Sequence, residues 1–285
     1  MTGELAKDLG NEWPVIILGS GRCGSTLLQS VLNANPKFLI WGEHNGFLRH
    51  IADAYYGTRE PVMVSNSRNR GFIADRVARL RSLAHWGAWE NPSEPGELQE
   101  KFKSFIRSIF SPAMGNVIHW GFKEIRYGQN AADRTLPFLR ECFPNARFLI
   151  TIRNPRDTIF SMVASWHRDY GLNGPLVDRQ LVRRARLWSA QYKNLYCFHR
   201  ISMECSKIIS FERLVRHEES SGLWSFLGAD EPEGSCKAIN FVKDQCKKSD
   251  SFGKLIDSRM RILGEQLAEV THETRMLYGY STYSI

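Results

Sequence analysis

The chain has 285 residues, and its 42% hydrophobic and 24% charged content is typical of a globular protein rather than a disordered or fibrous one. Its formal net charge of +8 favours an anionic partner, such as nucleic acid, a membrane surface or a multiply charged small molecule. No apolar run approaches the roughly 20 residues that span a bilayer, so we expect no stable membrane insertion. The first thirteen residues are charged and lack an apolar block, which predicts a cytoplasmic protein without a secretory signal.

The six cysteines and eight histidines are scattered along the chain. Neither a C-x-x-C pair nor an H-E-x-x-H pattern occurs, so the sequence predicts no metal site. A chain of this length does not need a disulfide scaffold, which indicates reduced and mostly buried thiols. The sequence carries no signal for an oligomeric state.

Strand-like apolar runs alternate with helix-like stretches, which predicts an α/β fold with a central, mainly parallel sheet flanked by helices. The predicted strands are 14–18, 37–41, 116–122, 147–152 and 206–210. The predicted helices are 24–34, 45–56, 131–142, 155–168 and 178–200, with a last helix near 258–277. Because no linker or repeat is visible, we expect a single domain over 1–285.

Residues 57–115 interrupt this alternation. They contain an arginine-rich stretch at 67–86 and then a segment rich in Pro, Gly and Glu at 91–97, which we predict to be a loop. We interpret 57–115 as a helical insertion. Its arginines form either a solvated helix face or a lid on the side of an anionic acceptor.

The strongest local pattern is an apolar strand that runs into a glycine-rich turn and then directly into a helix, over 13–28. Such a turn directs several backbone N–H groups and a helix N-terminus toward one point. The sequence therefore predicts an anion site there, and three kinds of ligand fit it.

Two of these ligands are common nucleotides. The P-loop spacing of NTPases is present, except that Ser25 replaces the lysine that reaches the β- and γ-phosphates. Gly19, Gly21 and Gly24 also satisfy the dinucleotide fingerprint, with Glu43 at about 20 residues' distance as a ribose ligand. An NAD(P)-dependent oxidoreductase is therefore an alternative.

The third ligand is a phosphosulfate. Arg22, Ser25 and Thr26 supply a cation and two hydroxyl donors around the turn, which suits two adjacent anionic groups without a metal. The turn alone does not separate these ligands, and the net charge of +8 also fits a non-catalytic anion-binding or nucleic-acid-binding protein.

A second anion-binding pattern follows the predicted strand 147–152. Arg153 ends this strand, Asn154 suits a helix N-cap and Pro155 suits the first helical position. Ser161 lies about two turns into that helix. Arg153 and Ser161 can therefore converge on one dianionic phosphate.

Together, the two motifs resemble the PAPS-dependent sulfotransferase family, and the resemblance runs from Pro14 to about Phe211. It implies a three-layer, P-loop NTPase-like fold and the sulfuryl donor 3′-phosphoadenosine 5′-phosphosulfate (PAPS), with 3′-phosphoadenosine 5′-phosphate (PAP) as product. It also implies that the first turn holds the 5′-phosphosulfate and the second motif the 3′-phosphate. The matching residues are Arg22, Cys23, Gly24, Ser25, Thr26 and Leu27 for the first group, and Arg153 and Ser161 for the second.

The same resemblance implies the catalytic groups. Glu43 matches the catalytic Glu of protein-tyrosine and several carbohydrate and bacterial sulfotransferases. The cytosolic steroid and phenol enzymes use a His two residues after a strand lysine; here that lysine looks like Lys123, and Ile125 stands where the His would be. We therefore predict Glu43 as the base and Lys123 as the cation on the leaving group.

Other interpretations of these groups stay open. Glu43 could be a surface carboxylate, Lys123 could pair with Glu124, and His44 is an alternative base. Arg126 could support either the phosphate or the acceptor.

The sequence gives weaker signals for the C-terminal region and for the identity of the acceptor. Lys254 falls where family members close a segment over the nucleotide, which predicts a phosphate contact. Trp188 and Tyr192, four residues apart on one helix face, are predicted to pack in the core. We expect a small-molecule, lipid or saccharide acceptor with a hydroxyl or amine, and no nucleic acid partner.

Overall fold

The computed structural model describes residues 13–58, 78, 81, 95–111, 117–130, 133–167, 173–235, 237, 239–240 and 251–280. The chain divides into two compact units, Met1–Gly46 with Pro112–Asp133 and Asn145–Ile285, and Phe47–Ser111 with Arg134–Pro144. Most of the arginine-rich stretch at 67–86 lies outside the described residues. The single domain and the acceptor-side lid therefore stay predictions.

Among its described residues, the first unit contains one sheet of five strands. The strands are β1 (Val15–Leu18), β2 (Phe38–Trp41), β3 (His119–Glu124), β4 (Arg147–Ile152) and β5 (Ser206–Ser210). Their order is β2-β3-β1-β4-β5, and every neighbouring pair is parallel. The predicted α/β fold with a parallel sheet is confirmed.

Helices connect these strands. They are α1 (Ser25–Asn33), α2 (Leu48–Gly57), α3 (Pro95–Phe110), α4 (Thr135–Cys142), α5 (Pro155–Trp166), α6 (Gly174–Arg200), α7 (Phe211–Val215), α8 (Ser220–Leu227), α9 (Ser251–Ile262) and α10 (Gly264–Leu277). Among the described helices, none is both long enough and apolar enough to span a membrane.

Helices cover both faces of the sheet. On one face, Leu149 of β4 belongs to a buried cluster with Leu28 of α1 and Trp224 of α8. On the other face, the ring of Phe148 packs edge-on against that of Phe198 of α6, with 5.0 Å between centroids. Successive residues of β4 thus point to opposite, buried faces, which explains why the central strands read as continuous apolar runs.

The described part of the second unit contains α2, α3 and α4. The buried ring of Tyr55 lies 5.6 Å from that of Phe102 and 5.0 Å from that of Phe138, measured between centroids. The Tyr55 and Tyr56 hydroxyls donate to the Glu141 carboxylate at 3.0 and 2.7 Å. Aromatic packing therefore holds these three helices together, and the Glu141 carboxylate adds a link between α2 and α4.

The structure shifts several sequence-based boundaries, and three of them are described below. The loop predicted at 91–97 is wrong at its end, because α3 begins at Pro95, a residue suited to the first turn. Helix α6 begins at Gly174 rather than 178, because the Asn173 side chain accepts from the Leu176 amide at 3.2 Å and caps it. The single helix predicted near 258–277 is two helices, α9 and α10, which break at Leu263 before a glycine, a weak helix former.

Gly121 is where β1 and β3 approach most closely. A Cβ added to Gly121 would lie 1.8 Å from the carbonyl oxygen of Val15. We expect Gly121→Ala to part the two strands and lower the free energy of unfolding by about 2–4 kcal/mol. Gly264→Ala is the control, because its added Cβ meets nothing within 4 Å. Urea unfolding measures both, and equal stability of the two variants would refute this account of the sheet.

Candidate active site

The turn after β1 has a backbone that only certain residues adopt. Gly24 has a φ of +93° and Arg22 a φ of +63°, both in the left-handed region. A Cβ on Gly24 would lie 2.2 Å from the ring of Phe211. Helix α1 begins directly afterwards, and no described side chain caps it. Its first amides are therefore available to an anion.

A cavity of about 620 Å³ lies at this turn. It brings together residues from the ends of β1, β2, β3 and β4, because the carboxyl ends of parallel strands meet at one edge. The predicted site residues in its lining are Arg22, Gly24, Ser25, Thr26, Leu27, Glu43, Lys123 and Arg153.

Two predicted residues are placed differently. The Cys23 side chain is fully buried beneath the turn, with Sγ 2.9 Å from Thr151 Oγ1. Ser161 is not part of the described lining, but its hydroxyl accepts from Arg22 Nε at 3.0 Å. Arg22 thus links the turn after β1 directly to the helix of the second motif.

Arg153 stands at the end of β4, as predicted. Its guanidinium carbon lies 4.6 Å from the centre of the Phe211 ring, a cation–π arrangement. Its Nη2 lies 3.7 Å from the Asp157 carboxylate, while its buried Nε has no hydrogen-bond partner among the described residues. Asn154 caps α5 as predicted, accepting from the Arg156 amide at 2.9 Å.

Lys123 and Glu43 form an ion pair at the cavity wall. Lys123 Nζ donates to Glu43 Oε1 at 2.9 Å and to Thr26 Oγ1 at 3.2 Å. Arg126 Nη1 donates to Glu43 Oε2 at 3.2 Å. Two cations therefore hold one carboxylate, and one of them, Lys123, also reaches the turn after β1.

This pairing sets the charge of Glu43. Partial burial acts to raise the pKa of Glu43, but the hydrogen bonds and charges of Lys123 and Arg126 outweigh it and lower the pKa below its ordinary value of 4.5. The carboxylate is therefore ionised at neutral pH and is a weaker base than an unpaired glutamate.

The sequence analysis named Glu124 only as an alternative partner of Lys123, but Lys123 pairs with Glu43 and Glu124 has a different role. It is fully buried, and its carboxylate accepts from the amides of His44 at 3.3 Å, Gly46 at 2.7 Å, Ile125 at 3.0 Å and Arg126 at 3.2 Å. It also accepts from Arg126 Nη1 at 2.8 Å. These bonds fix the segment that carries Glu43. Only the strand-end position of Glu124 could have signalled this role.

His44, the alternative base, lies beside the cavity but is not part of its described lining. Its ring packs edge-on against Phe122, with 4.7 Å between centroids, and its Nε2 lies 3.3 Å from the Tyr127 hydroxyl. Burial lowers the pKa of His44 and outweighs the opposite effect of Glu124. The imidazole therefore supports the Glu43 segment as a neutral ring.

The remaining candidates are not part of the described cavity lining. Lys254 is exposed on α9 and is not in the described lining. Trp188 and Tyr192 are buried, so their predicted role in the core is confirmed. In the described part of the chain, no group of His, Cys, Asp and Glu side chains could hold a metal ion.

Comparison with known proteins decides the family. The profile of the Sulfotransferase family matches residues 14–230. The chain belongs to the sulfotransferase family. No curated protein matches the sequence of this sulfotransferase.

Solved structures share the fold of this sulfotransferase. The sulfotransferase domain from the curacin biosynthetic pathway has a TM-score of 0.56 at 17% identity, over 95% of this chain and 98% of that one. The sulfotransferase domain of the Synechococcus PCC 7002 olefin synthase has a TM-score of 0.52 at 18% identity, over 95% and 96%. The sulfotransferase from Alicyclobacillus acidocaldarius has a TM-score of 0.52 at 18% identity, over 94% and 96%. At such identities the likeness shows the fold alone.

Glu124 allows a direct test of how the Glu43 segment is held. Glu124→Gln replaces one carboxylate oxygen by an NH₂ group that cannot accept from backbone amides. We expect faster hydrogen–deuterium exchange at the His44 and Gly46 amides and a loss of about 2–3 kcal/mol in the free energy of unfolding. Glu265→Gln, at an exposed position of α10, is the control. Unchanged protection of both amides would show that Glu124 does not hold this segment.

Proposed function

We propose that this sulfotransferase moves the sulfuryl group of PAPS to a hydroxyl or amine of a small-molecule, lipid or saccharide acceptor, with Glu43 as the base. One observation carries the proposal. The turn after β1, Arg153, Lys123 and Glu43 border a single cavity of about 620 Å³. A nucleotide with phosphates on both sides of its ribose needs two such anion sites within one pocket.

The residues present fit PAPS. The uncapped start of α1 offers backbone amides, and Arg22, Ser25 and Thr26 add a cation and two hydroxyls. The Arg153 guanidinium, which borders the same cavity, offers N–H donors to a second phosphate. The turn would thus hold the 5′-phosphosulfate, and Arg153 with Ser161 the 3′-phosphate.

Bound PAPS supplies an activated sulfuryl group next to a phosphate that can leave. Sulfuryl transfer by in-line displacement needs a base on the acceptor and positive charge on that phosphate. Glu43 takes the proton from the acceptor hydroxyl or amine. Lys123, whose Nζ already bonds Thr26 at 3.2 Å, stabilises the charge that develops on the leaving oxygen.

The ion pair between Lys123 and Glu43 connects these two roles. When Lys123 turns to the leaving phosphate, Glu43 loses one of the two cations that lower its pKa. Removing a nearby positive charge raises the pKa of a carboxylate and makes it a better base. Donor binding therefore strengthens the base that the transfer requires.

Nucleotide binding is the first test. PAP at 100 times its dissociation constant should stabilise the native protein by about 2.7 kcal/mol, a rise of roughly 5 °C in melting temperature. NAD at the same concentration should give no shift, and neither should adenosine, which lacks both phosphates. A shift with NAD and none with PAP would favour the oxidoreductase alternative. Salt-dependent binding of DNA or RNA without a PAP shift would favour the nucleic-acid binder.

Transfer is the second test, with ³⁵S-labelled PAPS and a panel of phenols, sterols, lipids and saccharides as acceptors. For an acceptor found there, Glu43→Gln should keep the PAP dissociation constant within about threefold and lower kcat by about 10² or more. Glu265→Gln is the matched control and should leave kcat unchanged. Undiminished turnover in Glu43→Gln would assign the base to another residue.

A further inference from the structure

Two tyrosines at the C-terminal end of α10 bond residues that hold the backbone of the two proposed anion sites. Tyr278 and Tyr280 stand two residues apart, on either side of Gly279. Gly279 has a φ of +76°, a left-handed conformation that ends α10 and reverses the chain. The Tyr280 amide then donates back to the Arg275 carbonyl at 3.0 Å. The two phenol rings leave this turn toward different partners.

Tyr278 supports the turn after β1. Its hydroxyl donates to the Tyr192 carbonyl at 2.9 Å, and its ring packs edge-on against that of Tyr192, with 5.5 Å between centroids. The Tyr192 hydroxyl in turn accepts from the Ser20 amide at 3.2 Å and donates to the Thr151 carbonyl at 2.7 Å. This path ends at the first anion site.

Tyr280 supports the second motif. Its hydroxyl donates to Glu212 Oε2 at 3.0 Å, and Glu212 Oε1 accepts from the Asn154 amide at 2.7 Å. The Ser210 hydroxyl also donates to Glu212 Oε2, at 3.0 Å. Asn154 directly follows Arg153, so this path ends at the backbone that carries the Arg153 side chain.

The chemistry of this path suits a fixed support. A hydrogen bond from a neutral phenol to a carboxylate is charge-assisted and stronger than one between neutral groups. Burial raises the pKa of Tyr280, and the neighbouring Glu212 carboxylate raises it further. The phenol therefore stays protonated, and remains a donor, at any pH used for assay.

We propose that Tyr280 is a positioning residue for the second anion site, which acts through Glu212 on the Asn154 amide and thereby on the orientation of Arg153. The inference rests on the proposed function, in which Arg153 binds the 3′-phosphate of the donor. Tyr278 serves the other site, so the two tyrosines divide the support of the nucleotide between them. Loss of the Tyr280 hydroxyl should weaken recognition of the 3′-phosphate and leave recognition of the 5′-phosphate unchanged.

PAP and 5′-AMP separate these effects, because they differ only in the 3′-phosphate. Isothermal titration calorimetry gives the dissociation constant of each ligand for wild-type protein, Tyr280→Phe and Tyr196→Phe. We expect Tyr280→Phe to weaken PAP about fivefold while 5′-AMP changes by less than about twofold. Tyr196→Phe is the matched control, because no described residue bonds the Tyr196 hydroxyl while its ring packs in the same cluster, 5.6 Å from Tyr278 between centroids. Tyr196→Phe should leave the dissociation constants of both ligands unchanged.

Each outcome decides a different point. Wild-type protein that does not bind PAP overturns the proposed function, and this inference with it. If Tyr280→Phe leaves the ratio of the two dissociation constants unchanged, this inference alone is overturned. A rise of both dissociation constants by the same factor is one such result, and it would show a general structural role. Thermal melting checks that each variant folds. Glu212→Gln is an independent second variant. The inference requires that it, too, lower the ratio of the 5′-AMP dissociation constant to the PAP dissociation constant.

Discussion

The parallel pairing of β1 with both β3 and β4 is the constraint on which the site depends. Leu18, the last residue of β1, is in register with Glu124 on one side and Ile150 on the other. Because all three strands run the same way, the glycine turn, Lys123 and Arg153 emerge at one edge. Residues more than 100 positions apart in the chain thereby border one cavity. The close approach at Gly121 is part of the same constraint.

A buried carboxylate extends this constraint to β2. Glu124 is removed from solvent and is matched by backbone amides and one guanidinium, so its charge is compensated within the fold. The segment after β2 is consequently held by a side chain of β3. The position of Glu43 depends on this support, because the residues around it have no regular secondary structure of their own.

Features set by local sequence could be predicted. The apolar runs gave the strands, and the Asn154 cap with Pro155 gave the start of α5, because capping and periodicity act over a few residues. Features set by distant partners could not. Three contacts connect segments that only the folded sheet brings together. They are the contact of the buried Cys23 side chain with Thr151, the bond from Arg22 to Ser161, and the bonds from the segment after β2 to Glu124.

The salt link between Glu43 and Lys123 has a kinetic consequence. The ion pair joins the group proposed as base to the group proposed to assist departure of the phosphate. The pair lowers the basicity of Glu43 and occupies the Lys123 ammonium until another anion competes for Lys123. Under the proposed mechanism this favours compulsory-order kinetics, in which the nucleotide binds first. An acceptor that binds before the nucleotide would find Glu43 still paired with Lys123 and therefore a weak base.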